Sequence, residues 1–531
     1  MSAPSPDRPA DNPVTRGARS HHPGFAVAAV MVGTFLAAFD SRLFTVGLAD
    51  LRGGFALGYD EGGWLSTAAL APQILIAPAV AWLATTFGVR RLLGVPSLVY
   101  AAISLLIPFV RHYELLVALH VARGLLLGVF VPATLLIILR NLSLQWWLPA
   151  IALYAFRSAF TLNSGAALGG YYVQTLGWQW MYWQDALVAP VMAVLVYVGV
   201  PRERVDRGLL VHADWGGMLL FGAGLTLIYV GLDQGNRLDW LESGTVVATL
   251  AGGAALIVAF WINELLHPEP WASAKVLMSR NILLMLGVTV LFTLTSVSNG
   301  LLVPNFLDVI GALRPEQTGD LLFGSVALPL VGFTVLAVFL LRRIDARIVL
   351  TLGLGAFALA SLLATRLTGV WRLDDFVPLT LLQSAGHGLT FVAIIVIALS
   401  NANPKRATAF SAYIQVLRLG GAQIGLALMM TWLRIREQVH SHQLGQHVSD
   451  GEASVEQTVT ALANRFAPFD AGSAHQRALG TLASLVKQQA NVLAYIDGFQ
   501  LCYWLALAAL LLVAFMKAPP PGPLVPRRSL A

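Results

Sequence analysis

What most constrains this chain is where its charges are missing. Its 531 residues read as a succession of apolar blocks, each about 18 residues or longer and therefore long enough to cross a bilayer as a helix. The charges gather in the short segments between blocks. Only 12% of residues are charged, about half the roughly 25% of a soluble domain. That balance excludes a cytosolic enzyme, a nucleic-acid binder and a disordered scaffold. The blocks are continuous rather than alternating, and a helix satisfies all of its own backbone hydrogen bonds in lipid, so helices rather than barrel strands are expected.

Reading between charges gives fourteen spans, near 24–48, 62–86, 92–110, 114–139, 146–172, 178–200, 215–232, 244–263, 281–307, 320–341, 347–366, 376–400, 407–433 and 498–516. The expected fold class is an all-α polytopic membrane protein. No charge separates spans five and six between Arg157 and Asp185, so that turn is placed by Gly169-Gly170 and by Gly177 ahead of Trp178, Trp180 and Trp183. The net charge of +6 forms no patch. Arg90 and Arg91, then Arg202, Arg204 and Arg207, then Arg342, Arg343 and Arg347, then Lys405 and Arg406 fall in loops of one side, which the positive-inside rule assigns to the cytoplasm with both termini. Residues 1–23 read as a polar, proline-containing tail. The single cysteine, Cys502, allows no intrachain disulfide and no cysteine-based metal site.

One connection is long, 434–497, and is expected outside. Its His440, His442 and His447 read as solvated loop residues, because positions two apart point to different helix faces; no metal site is expected.

Charges inside spans cost about 2.5–3.5 kcal/mol each on insertion scales and so require a reason. Asp40 and Arg42 lie in span one, Arg123 in span four, Arg157 in span five, Asp185 in span six and Arg418 in span thirteen. By helical rise, Asp40 and Arg123 lie roughly 12 and 13 Å below their outer span ends, a matched depth for an ion pair. Asp185 is offered as counter-ion to Arg42. Two readings stand: helix-locking pairs, or a proton site in which Asp40 binds and releases H⁺ against Arg123. Arg157 and Arg418 near mid-depth suggest a water-filled cavity for an anionic or polar substrate, and the charges are expected to share that vestibule. His387 is either a packing residue or a second proton site. Gly124/Gly128, Gly165/Gly169 and Gly421/Gly425 carry the spacing of close helix contacts. No phosphate loop, metalloprotease motif or nucleophile elbow occurs, so neither ATP hydrolysis, covalent catalysis nor a cofactor is expected.

The order of these features resembles the fourteen-span drug:proton antiporter family of the major facilitator superfamily, of multidrug exporter B type. FDSRLFTVGL (39–48) is similar to the family's first-span motif, with Asp40 at its aspartate. GGWLSTAALAPQILIAPAVAWLATTFGVRR (62–91) resembles the second span and the basic loop motif, through Gly88, Arg90 and Arg91. ARGLLLGVFVP (122–132) keeps the fourth-span arginine as Arg123. GAALGGYY (165–172) resembles the antiporter motif, through Gly165, Gly169 and Gly170. LDQGNRLDW (232–240) resembles the loop between two extra central helices, VLMSRNILL (276–284) the start of the second bundle, and LRLGGAQIG (417–425) the late arginine-glycine motif through Arg418. The chain departs from the family at Thr85, where an aspartate is usual, and at Ala81, Leu126, Leu127 and Ala166. Arg42 and Arg157 are not family hallmarks and point to a narrower, anionic substrate.

The resemblance implies two six-helix bundles, at 24–200 and 267–516, with two inserted helices within 201–266, between cytoplasmic tails at 1–23 and 517–531. It implies proton-coupled export of a small amphipathic or anionic organic compound from a bacterial inner membrane by alternating access. An importer or uniporter on the same fold, and a membrane sensor or scaffold without transport, remain open alternatives. Some family members work with a periplasmic adaptor and an outer-membrane channel, for which 434–497 would be the facing surface. No nucleic-acid partner is implied.

Overall fold

The computed structural model describes residues 20, 22–268, 270–273, 276–277, 279–401, 407–448, 453–469 and 472–518. Fourteen helical rods follow one another along these residues: α1 Pro23–Val46, α2 Tyr59–Phe87, α3 Val89–Phe109, α4 Tyr113–Asn141, α5 Leu144–Tyr171, α6 Trp180–Gly199, α7 Trp215–Gly235, α8 Gly244–Leu266, α9 Arg280–Val309, α10 Gln317–Leu341, α11 Ala346–Ala364, α12 Leu373–Asn401, α13 at 407–446 and α14 Ala474–Ala514. Twelve of them, all but α5 and α13, are long and apolar enough to cross a membrane among the described residues. The side from which α1 starts is called proximal below, and the side holding the connection between α13 and α14 distal.

Helices form here because each satisfies its own backbone hydrogen bonds in apolar surroundings. α1 packs on α4, α5 and α6; α2 on α4; α3 on α4 and α6. α9, α11 and α13 pack on α14, and α12 packs on α9, α10 and α11. α7 and α8 pair with each other, and α7 also touches α2 and α13. The two groups meet where α5 lies along α10 and α12, and where α2 lies along α13. Small residues set some of these distances: a Cβ on Gly124 of α4 would come within 2.5 Å of the Ala69 carbonyl oxygen on α2, and one on Gly128 within 2.7 Å of Gln73 Cα. Without a strong hydrophobic force between helices in lipid, such close backbone contact is what holds them together.

Several sequence expectations need correction. Gly169 and Gly170 do not turn the chain: α5 runs through them, one wider π-type turn follows at Tyr172–Leu176, and the reversal falls on Gly177 at φ +100°. The long connection is mostly helical. α13 continues to Gln446, a separate helix spans Ala453–Phe466, and α14 begins at Ala474, 24 residues before the expected span start. Polar composition hid these helices because a helix that projects beyond the bilayer needs no apolar ring. His440 is likewise not a loop residue. It lies on α13 against Asp497 of α14 at 2.6 Å, and Arg436 donates to the same carboxylate at 2.5 Å.

Candidate functional site

Four helices of the first group converge on one arginine. Arg123 of α4 donates from Nη1 to Asp40 Oδ1 of α1, and from Nη2 to Asp185 Oδ2 of α6. The same Nη2 donates to the Tyr100 hydroxyl of α3 at 2.7 Å, and Nε donates to Ser104 Oγ at 3.0 Å. The guanidinium carbon lies 4.8 Å from the Tyr100 ring centre and 5.1 Å from that of Tyr182. Asp40 and Arg123 are 1% exposed and Asp185 is fully covered, so this is a dry cluster inside one bundle. A buried charge is tolerated only when paired and hydrogen-bonded, and here every nitrogen of the guanidinium has a partner.

The two carboxylates differ in what surrounds them. Asp185 also accepts from the Tyr100 hydroxyl at 3.0 Å and from Gln184 Nε2 at 3.1 Å, and Gln184 is itself held by the Tyr172 hydroxyl at 2.9 Å. Asp40 is bonded to Arg123. One turn away on α4, His120 places Nδ1 2.8 Å from the Leu116 carbonyl and Nε2 3.0 Å from the Tyr182 hydroxyl. A carbonyl oxygen only accepts, so Nδ1 carries the hydrogen, and Nε2 meets a hydroxyl that can donate or accept.

The sequence placed Asp40 and Arg123 at one depth, and the structure brings them together. It corrects the partner of Asp185: the carboxylate offered to Arg42 is taken by Arg123. The side chains of Arg42, Arg157 and Arg418 lie outside the described residues, on α1, α5 and α13. His387 does not join the cluster. It sits on α12 in the other helix group, half-buried among Phe292, Phe357 and Phe391, with ring centres 5.5, 6.5 and 5.8 Å away. Among the described residues, the expected charges form one covered ionic cluster, and His387 occupies a separate aromatic niche. The tyrosines, Ser104 and His120 were missed. Hydroxyls in a span are ordinary, but His120 carried a legible signal, three residues before Arg123 on the same helix face.

The basic loop motif lies at the proximal face. Gly88 takes φ +85° between α2 and α3, and a Cβ there would come within 3.0 Å of Glu203 Cβ. Arg90 lies over Tyr197 at 5.2 Å. Thr85, standing where a carboxylate is usual, donates to the Ala81 carbonyl at 2.8 Å and adds no charge. A carboxylate still reaches this corner: Glu203 is 3.3 Å from Arg140 of α4, which also donates to the Ala84 carbonyl at 3.1 Å. In α5, Gly165, Gly169 and Gly170 are buried along the helix that faces α10 and α12.

With a fold of paired helix groups and an ionic cluster in one of them, comparison with known proteins becomes decisive. The family model of the Major Facilitator Superfamily matches residues 30–425. The chain belongs to the Major Facilitator Superfamily. Within it, the similarity is to drug:proton antiporters of multidrug exporter B type. The multidrug export protein EmrB of Haemophilus influenzae is 23% identical over 93% of this chain and 95% of its own length. The fatty acid resistance protein FarB of Neisseria gonorrhoeae is 20% identical over 88% of this chain and 92% of its own. Among solved structures, the proton:xylose symporter XylE superposes with a TM-score of 0.51 at 14% identity, covering 90% of this chain and 95% of that one. A peptide transporter, POT, gives 0.52 at 15% identity over 79% and 91%. These two structures share the fold, and the family match with its sequence relatives makes this chain a major facilitator transporter embedded in a membrane.

Proposed function

We propose that this protein is a proton-coupled exporter of a small amphipathic or anionic organic compound, working by alternating access across a bacterial inner membrane. The observation that carries the reading is the buried Asp40–Arg123 pair, an ionisable contact inside a span that costs too much to be kept for packing alone. Asp40 binds and releases the proton, and Arg123 is the charge against which it does so. All fourteen rods cross the membrane, with the proximal face and both termini in the cytoplasm. α1–α6 and α9–α14 form two bundles that rock about a midplane site, sliding at the α5–α10 and α2–α13 seams. Arg157 and Arg418 serve the substrate, and His387 is a second place for a proton. The name of FarB, a fatty acid resistance protein, supports an amphipathic acid as cargo. The helices of 434–497 face the periplasm, where an adaptor leading to an outer-membrane channel would dock.

The test is uptake of medium-chain fatty acids and aromatic acids into everted vesicles energised with an imposed proton gradient. The expected result is gradient-driven accumulation in the native protein and loss of at least tenfold in Asp40→Asn, with unchanged expression. Full gradient-driven accumulation by Asp40→Asn would end the reading.

A further inference from the structure

Two carboxylates share one guanidinium in a covered site. With Asp40, Asp185 and Arg123 all ionised, these three groups carry a net charge of −1, and among the described residues no second cation is bonded to either carboxylate; the groups around them are Tyr100 and Ser104 from α3, His120 from α4, and Tyr182, Gln184 and Tyr172 from the α5–α6 corner. In its two bonds His120 meets the Leu116 carbonyl and the Tyr182 hydroxyl, not a carboxylate of the cluster. Like charges this close titrate as a pair, not as separate residues.

We infer that Asp40 and Asp185 form a single-proton carboxylate pair closed around Arg123, which makes Asp185 a positioning residue for proton coupling. This rests on the exporter reading above and deepens it. The unequal surroundings say how the pair works. Asp185 is fixed by Tyr100 and Gln184 as well as by Arg123, so the guanidinium stays with α6 when the proton arrives. Asp40 has the simpler attachment. When H⁺ from water forms an O–H bond at Asp40 Oδ1, the Nη1–H···Oδ1 bond breaks, the cluster becomes neutral, and α1 loses its ionic tie to α4. Release of the proton to water restores the bond and the tie. The chemical step is thus converted into attachment or detachment of one helix of the first bundle. Without Asp185, Asp40 alone would balance Arg123, and the cluster would be neutral with no proton bound.

The experiment reads carboxyl protonation directly, by infrared difference spectra of the full chain in lipid vesicles over a pH titration, with no substrate added. Beyond the carboxyl signal common to all variants, Glu203 included, the native protein is expected to show a protonated-carboxyl band that grows as pH falls and corresponds to one group. Asp40→Asn and Asp185→Asn should each remove that band, and Asp185→Glu should restore it, while size-exclusion profiles stay monodisperse. If Asp185→Asn keeps the band and only Asp40→Asn removes it, the shared proton is disproved and Asp40 stands as sole carrier. If neither variant changes the band, and transport is also indifferent to the gradient, both this inference and the exporter reading fall.

Discussion

An arginine among hydrocarbon is stable only where each donor finds a partner, and Arg123 shows how many residues that takes. Four helices contribute to it, and three of the contributions are neutral hydroxyls or rings. The sequence exposed the charged members, because a charge in an apolar block stands out. It matched Asp40 with Arg123 by depth but did not expose the partner of Asp185. Asp185 reaches Arg123 because α6 is rotated to present it there, and rotation about a helix axis is set by packing with neighbours. A second residue-scale consequence lies at Glu203, in the connection after α6. Burial pushes its carboxyl above the ordinary glutamate value, with Arg140 opposing the shift. For a group raised on folding, the stabilising contribution is complete below the unfolded value and is lost as pH climbs through the folded one. The thermal midpoint of detergent-solubilised protein should therefore fall as pH rises across that window. Glu203→Gln should flatten the fall, even though its absolute stability drops because Arg140 loses its carboxylate. Parallel slopes in the two proteins would count against this account.

At the scale of elements, the span pattern was legible because apolar length is a property of composition, whereas local irregularities were not. π-type turns widen α9 at Ser298–Leu302 and α10 at Phe323–Ala327. Both open towards α12, where Gln383 donates to Ser298 Oγ at 3.1 Å, Thr380 to Ser325 Oγ at 2.7 Å, and Ser384 to the Val326 carbonyl at 2.8 Å. A widened turn frees a carbonyl from its helix ladder, and Ser384 takes one. No short sequence pattern announces that exchange. The meeting of α5 and α10 is equally a matter of shape. A Cβ on Gly319 of α10 would come within 2.6 Å of the Ala167 backbone nitrogen on α5, beside the glycines of the antiporter-like motif. Gly319→Val should overpack this distal seam by about 1–3 kcal/mol. That shifts the equilibrium towards a distally open form by a factor of roughly 5 to 150. Cysteine labelling from the distal side at seam positions would rise if this holds and stay unchanged if the seam is not a moving contact.

Across the whole molecule, the α7–α8 pair links the two helix groups. Its distal loop reaches both. Arg237 pairs with Asp60 at the start of α2 and lies 5.4 Å over the Trp64 ring, while Asp233 and Gln234 bond to Thr67. On the other flank, Asn236 Nδ2 donates to Thr431 Oγ1 of α13 at 2.9 Å, and Arg434 donates to the Asn236 carbonyl at 2.5 Å. This strap ties α2 to α13 at the distal face. Thr431→Val combined with Arg434→Ala should loosen it, raising amide hydrogen exchange of residues 236–240 severalfold while the α2 side keeps its protection. Equal loosening of both flanks would mean that the loop opens as one unit instead.

The sequence alone determined that this chain is a bundle of membrane helices carrying a few costly charges, since span length and charge placement follow from the energetics of lipid and are written residue by residue. It also placed Asp40 and Arg123 at one level, because helical rise converts residue number into depth. Only the tertiary structure decided that Asp185 completes their cluster, that His387 lies apart among phenylalanines, and that the long connection is built of helices. Each of these depends on helix rotation and on contacts between distant segments, and in an apolar medium those are selected by side-chain fit across the interfaces, a property that no single segment contains.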